Sequence, residues 1–212
     1  MKHAKHALAA AVLAAAVVTL SACGGSDGTM SSGTSMTPMK GMGQSSSGPA
    51  MPASGPHNAA DVTFSTQMIS HHAQAVEMTD LVLASTQNAK VRALATQIRN
   101  AQTPEITTMS GWLKGWGEPV PDTTMAGQDM GGMSMDGMMS DSEMNQLKQA
   151  QGTQADTEFL TLMSKHHAGA IEMSKTELTS GQNAAAKELA TSIIETQTAE
   201  IADMQGLLNS IG

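Results

Sequence analysis

The chain has 212 residues, 40% hydrophobic and 14% charged, with 19 acidic against 11 basic side chains and a net charge of −8. That acidic balance argues against a nucleic-acid partner and suits cations and solubility. Only 2% of residues are aromatic and tyrosine is absent, so a core must come from Leu, Ile, Val, Ala and an unusual 19 methionines.

The N-terminus reads as an export signal. Lys2 and Lys5 give a positive start, and residues 7–20 form an apolar run too short for a comfortable membrane span. The run ends in Leu20-Ser21-Ala22-Cys23, which resembles the lipobox of bacterial lipoproteins, where the cysteine is lipidated and becomes the mature N-terminus. Cys23 is the only cysteine, so it has no disulfide partner within the chain. Removal of residues 1–22 as a lipoprotein signal peptide takes away two lysines, leaving nine basic against nineteen acidic residues, or −10. One lipid anchor at Cys23 would then hold the remainder on the membrane outside the cytoplasm. No later run of about eighteen apolar residues follows, so no spanning helix is expected.

Residues 23–57 are rich in Gly, Ser, Thr, Pro and Met without periodicity and read as a flexible tether. Residues 58–212 read as an all-α domain made of two copies of one unit. At a constant offset of 95, without gaps, about half of the positions 61–113 match positions 156–208. Each half, 58–117 and 153–212, is predicted to be a helical hairpin, broken near Thr86-Gln87-Asn88 and near Gly181-Gln182-Asn183. Leu94, Ile98, Ile106, Met109 and Leu113 recur at helical spacing on the second helix. Two such hairpins cover each other as a four-helix bundle. Between them, residues 118–140 form a Met-rich linker with Met125, Met130, Met133, Met135, Met138 and Met139, whose thioethers suit weak capture of a soft ion. A short helix is expected over residues 140–151, capped by Ser140 or Asp141.

The chemistry lies in the first helix of each half. Met68, His71, His72 and Met78 recur as Met163, His166, His167 and Met173. Imidazole plus thioether is a ligand set for copper, above all Cu(I), with Cu(II) second. Asp61, Phe64, Met68, His71, His72, Ala75 and Met78 share one apolar face, while Glu77 points roughly the other way to solvent. Adjacent imidazoles diverge by about 100° around the axis, so both on one ion would be strained. Met78 stands roughly 10 Å along the axis from His71, too far for one coordination sphere. One histidine of each pair is therefore expected to work with Met68 or Met163, the other to reach a neighbouring helix or the companion repeat.

Asp61 and its repeat Asp156 are candidates to orient an imidazole through a hydrogen bond. Glu105 and Glu200 sit on the apolar stripe one turn before Met109 and Met204. Each is either a ligand or acceptor for a facing histidine, or an edge residue whose carboxylate reaches water. Trp112 and Trp116 are expected to cap one bundle end, and His57 is a minor auxiliary candidate.

The doubled pattern Asp-x-x-Phe-x-x-x-Met-x-x-His-His-x-x-Ala-x-x-Met, each copy followed by Gln-x-x-Glu-Ile-x-x-Met, resembles the domain of unknown function 305 family, which includes periplasmic copper-binding proteins of the CopM type. The resemblance covers about residues 58–212. It implies a ferritin-like four-helix bundle and copper binding linked to metal tolerance. By motif position the family's ligands would fall on Met68, His71, His72, Met78, Met163, His166, His167 and Met173. The linker here lacks the histidines that relatives often carry, which leaves only methionine there.

Three functions compete at this point. The leading one is a lipid-anchored, non-catalytic protein that sequesters or shuttles copper outside the membrane, with a delivery partner not identified by sequence. The enzymatic alternative is a ferritin-like metal oxidase. Di-iron bundles of that kind use Glu-x-x-His on two helices, however, and Met68 and Met163 stand where those glutamates would be. The third is a metal-free helical scaffold. No nucleophile–base–acid arrangement, phosphate-cradling glycine loop or nucleotide site is recognisable in the sequence.

Overall fold

A computed structural model describes residues 55–123 and 136–211. The export segment with Cys23, most of the tether, and Met125, Met130, Met133 and Met135 lie outside the described residues. Among the described residues five helices follow one another: α1 (Ala59–Ser85), α2 (Ala89–Trp116), α3 (Asp141–Gln149), α4 (Gly152–Ser180) and α5 (Ala184–Ile211). No strand occurs among the described residues, and no helix among them is long and apolar enough to cross a membrane.

The helix boundaries follow from local chemistry. Asn58 caps α1, its side chain accepting from the N–H groups of Ala60 at 2.8 Å and Asp61 at 3.2 Å. Asn88 caps α2 and the repeat-equivalent Asn183 caps α5 in the same way. Gly117 ends α2 in the left-handed conformation at φ 79°, where its N–H reaches back to the carbonyls of the last turn. Ser140 and Glu143 form a reciprocal capping box that starts α3.

The hairpins α1–α2 and α4–α5 pack against each other chiefly through α1 and α4, while α3 lies against both of these inner helices. The buried apolar residues fall into two clusters. One joins Met78, Ile98, Phe159, Met163 and Met204; the other joins Phe64, Met68, Met109, Ile193 and Ala170. Phe64, Met68, Met109 and Ile193 in one cluster have their 95-offset partners Phe159, Met163, Met204 and Ile98 in the other. The two halves are thus related by an approximate twofold axis, with α1 and α4 crossing antiparallel.

Helix α3 has no counterpart among the described residues, and within them this breaks the symmetry. Leu147 of α3 and Met139 just before it complete the first cluster, where Met78 is fully buried. Its repeat Met173 is half-buried and, among the described residues, lines a surface groove with Phe64 and Glu177. In the same second cluster Trp112 is buried, and His57 stacks on Trp116 with ring centroids 4.6 Å apart. His57 therefore packs at the bundle end rather than at the histidine pairs.

Candidate metal centre

Between the two apolar clusters lies a polar belt. His71, His72, His166 and His167 are all fully buried there. The 100° divergence of each adjacent pair sends the two rings to different neighbours. His71 and His166 meet across the approximate twofold axis, with ring centroids 3.6 Å apart and planes tilted by 37°. His72 and His167 turn instead toward the second helix of their own hairpin. The His72 Nε2–H donates to Glu105 Oε2 at 2.6 Å, and the His167 Nε2–H donates to Glu200 Oε2 at 2.8 Å.

The glutamate contacts set the proton arrangement. A carboxylate accepting from Nε2 holds a proton on that nitrogen, and Nδ1 of His72 and of His167 has no hydrogen-bond partner. Carboxylate–histidine pairing of this kind orients an imidazole for a metal and raises its basicity. The two copies are not identical. The Glu200 side chain is 3% exposed and also accepts from Gln97 Nε2 at 3.2 Å, whereas that of Glu105 is 22% exposed.

Six of the eight imidazole nitrogens in the belt are buried without a hydrogen-bond partner: both of His71, both of His166, and Nδ1 of His72 and of His167. The buried amides of Gln102 and Gln197, one turn before the glutamates, also carry unpartnered atoms. Each such group costs about 1–3 kcal/mol when desolvated without compensation, and native interiors hold few of them. Burial drives the pKa of His71 and His166 well below the ordinary histidine value, reinforced for His71 by His72 and for His166 by His71 itself. Burial also lowers that of His167, against the opposing pull of Glu200. All three rings are therefore neutral near pH 7 and present lone pairs, the form that ligates metals.

Among the described residues, no three His, Cys, Asp or Glu groups converge closely enough to enclose an ion as the side chains stand. The His71–His166 stack shows why. Two ring nitrogens bonded to one ion at about 2 Å separate the ring centroids by roughly 5–6 Å. An ion held by both rings would therefore have to part the stacked pair. The donor set fits a soft ion: neutral imidazoles flanked on either side by the buried thioethers of Met68 with Met109 and of Met163 with Met204.

Met68 and Met78 lie in different clusters, on opposite sides of the belt, so they do not share one site; the same holds for Met163 and Met173. Glu77 is exposed. The expectation for Asp61 is overturned. Its carboxylate accepts from the N–H groups of Asn58 at 2.6 Å, Gln182 at 3.0 Å and Asn183 at 2.8 Å, so it ties the start of α1 to the turn before α5 and orients no imidazole. Asp156 is buried with Oδ1 unpartnered and hydrogen-bonds no histidine.

The sequence reading missed two residues at the belt. Gln74 and Gly169 stand one turn after His71 and His166 at equivalent positions of the repeat. Their mismatch inside an otherwise repeated motif was the available signal.

The family model for "Domain of unknown function (DUF305)" matches residues 61–208. Among solved structures, a candidate secreted DUF305 protein from Streptomyces coelicolor is 38% identical, covers 72% of this chain and 92% of its own, and superposes with a TM-score of 0.65. A DUF305 fragment from Deinococcus radiodurans is 32% identical over 74% of this chain and 99% of its own, with a TM-score of 0.64. CopM in its Cu(I)-bound form is 28% identical over 71% of this chain and 96% of its own, with a TM-score of 0.58, and CopM is also solved with Cu(II) and with silver. No match is found among curated protein sequences. The duplicated His-His hairpins and these relatives together make the chain a member of the DUF305 family.

Proposed function

We propose that this is an extracytoplasmic copper-binding protein, anchored through a lipid on Cys23, that takes up and releases Cu(I) at the histidine belt without catalysing a reaction. The observation that carries the reading is the buried quartet His71, His72, His166 and His167, six of whose nitrogens have no partner within the protein. Similarity to CopM, solved in Cu(I)-, Cu(II)- and silver-bound forms, supports the same choice of ion. Arranged as a ferritin-like bundle of two duplicated hairpins, the chain would offer each ion imidazole from the belt and thioether from Met68 or Met163. Met109 and Met204 would be the reserve sulfurs. Met78 and Met173 would act outside the belt, and the linker methionines would capture copper weakly.

With no thiolate, binding should be reversible and suit a buffer or shuttle that passes copper to a delivery partner. Cu(II) would be held less well, because thioethers are soft donors. The test is an anaerobic Cu(I) titration against a chromophoric chelator. The variant carrying alanine at positions 71, 72, 166 and 167 should lose the tight sites, with affinity at least a hundredfold weaker, while circular dichroism still shows helix. Equal stoichiometry and affinity in that variant would remove the histidines from the site.

A further inference from the structure

Residues Asp136 to Met139 run from the linker into α3 and lie against the belt. Gln74 holds the segment by both backbone groups of one residue. Its Nε2–H donates to the Met139 carbonyl at 2.9 Å, and the Met139 N–H donates to Gln74 Oε1 at 2.8 Å. The Met139 side chain is buried in the first apolar cluster. Immediately after it the capping box fixes α3, and Glu143 pairs with Lys165 of α4 at 2.9 Å.

On the opposite helix the segment needs empty space. Gly137 has φ +84°, and a Cβ there would stand 2.8 Å from Gly169 Cα and 2.9 Å from the His166 carbonyl oxygen. A Cβ on Gly169 would collide with the Asp136 carbonyl and lie 2.7 Å from Gly137 Cα. The two glycines thus meet backbone to backbone. Helix propensity alone favours alanine over glycine at a mid-helix position by about 1 kcal/mol, so glycine at 169 serves the close approach.

Gln74 and Gly169 are the same position of the two repeats, offset by 95, and each stands one turn after the histidine that faces across the axis. We propose that Gln74 and Gly169 are positioning residues that clamp the strap 136–139 over His71 and His166, so that release of the strap sets the rate at which this imidazole pair meets solvent and exchanges copper. In a symmetric duplication the strap could be gripped or accommodated on both sides. Divergence to one gripping amide and one vacated Cβ lets a single strap serve both imidazoles. The copper half of this inference rests on the function proposed above; the accessibility half does not.

The test has two arms. In the metal-free protein, diethyl pyrocarbonate modification of His71 and His166 is followed by peptide mass spectrometry. Gly169→Ala and Gln74→Ala should each react at least tenfold faster than wild type. Gly206→Ala should match wild type, since an added Cβ there meets nothing within 4 Å. In the second arm, stopped-flow transfer of Cu(I) to bicinchoninate should speed up at least tenfold in Gly169→Ala and Gln74→Ala, with stoichiometry unchanged. Rates equal to wild type in both folded variants would overturn the strap. Faster modification of the metal-free variants, with a wild type that takes up no Cu(I), would uphold the strap and sink the copper reading instead.

Discussion

Replacing His71 and His166 together by leucine should make the metal-free protein more stable while weakening its response to copper. The two rings bring four buried ring nitrogens with no partner, in a region bounded on both sides by apolar clusters. Leucine is close to histidine in volume and carries no group to desolvate. Removing two to four unpaired polar atoms should contribute roughly 2–4 kcal/mol, which for a domain of this size raises the melting temperature by about 5–10 °C. Wild type, in contrast, should gain about 4 kcal/mol from free Cu(I) at a thousandfold excess over its dissociation constant, and the variant much less at the same concentration. Differential scanning calorimetry with and without Cu(I) under anaerobic conditions reads both effects. A metal-free variant less stable than wild type would mean that the imidazoles are satisfied in the native state, which would undercut the reason for assigning them to a metal.

The second large effect is on pH dependence. Glu177 is buried beside Asp61 at the end of the bundle, where the repeat partner is Val82. Burial first, and then the neighbouring Asp61, push the Glu177 carboxyl up to about 8, with Lys187 pulling the other way. Asp61 is itself held below the usual carboxylate range: burial works against this, but the N–H groups of Asn183, Asn58 and Gln182 and the Glu177 carboxyl outweigh it. The proton of the pair thus resides on Glu177.

A group whose folded pKa is raised gives stability that is complete below its unfolded value and lost as pH climbs through the folded one. Glu177 therefore costs the protein roughly 3–5 kcal/mol between the ordinary 4.5 and about 8. His71, His166 and His167 act in the opposite sense. Their pKa values are lowered from 6.5, so their contribution is present above 6.5 and lost as pH falls below it. Below pH 6.5 the three histidines outweigh one glutamate; above it only Glu177 still changes charge state among these groups. Melting temperature of the metal-free protein should peak near pH 6.5 and fall by about 4 °C toward pH 8. Glu177→Gln should remove that alkaline fall and leave the acid side intact. A wild-type curve flat from pH 6.5 to 8 would show that Glu177 is already ionised in the fold.

Much of this architecture is readable from residue order, for identifiable reasons. The 95-residue offset exposes the two hairpins, because a duplicated unit repeats its breaks as well as its core. Thr86-Gln87-Asn88 and Gly181-Gln182-Asn183 fall where the helices end, and both asparagines turn out to be caps. Helical geometry alone separates His71 from His72 and places Met78 beyond the reach of His71. The carboxylates of Glu105 and Glu200, left open between acceptor and edge, lie against histidines because an apolar stripe carries them inward.

Long-range contacts were not legible. Asp61 looked like an imidazole partner because both share a helix face. Its real partners are 121 and 122 residues away in a turn that no local pattern links to it. Asp156 does not repeat this role, since Asn88 N–H is taken by Thr86 Oγ1 in the first hairpin. Met78 and Met173 look equivalent, but among the described residues α3 packs over Met78 alone. Gln74 and Gly169 were passed over because a mismatch within a repeat reads as drift, until a third segment shows that each answers to the same strap.

The most direct test of a histidine-belt copper site is X-ray absorption at the copper edge on protein loaded anaerobically with Cu(I). The belt predicts imidazole nitrogen scatterers at about 2.0 Å together with thioether sulfur at about 2.3 Å, and a smaller imidazole contribution when His71 and His166 are leucine. A shell of sulfur or oxygen alone, unchanged by that replacement, would contradict it.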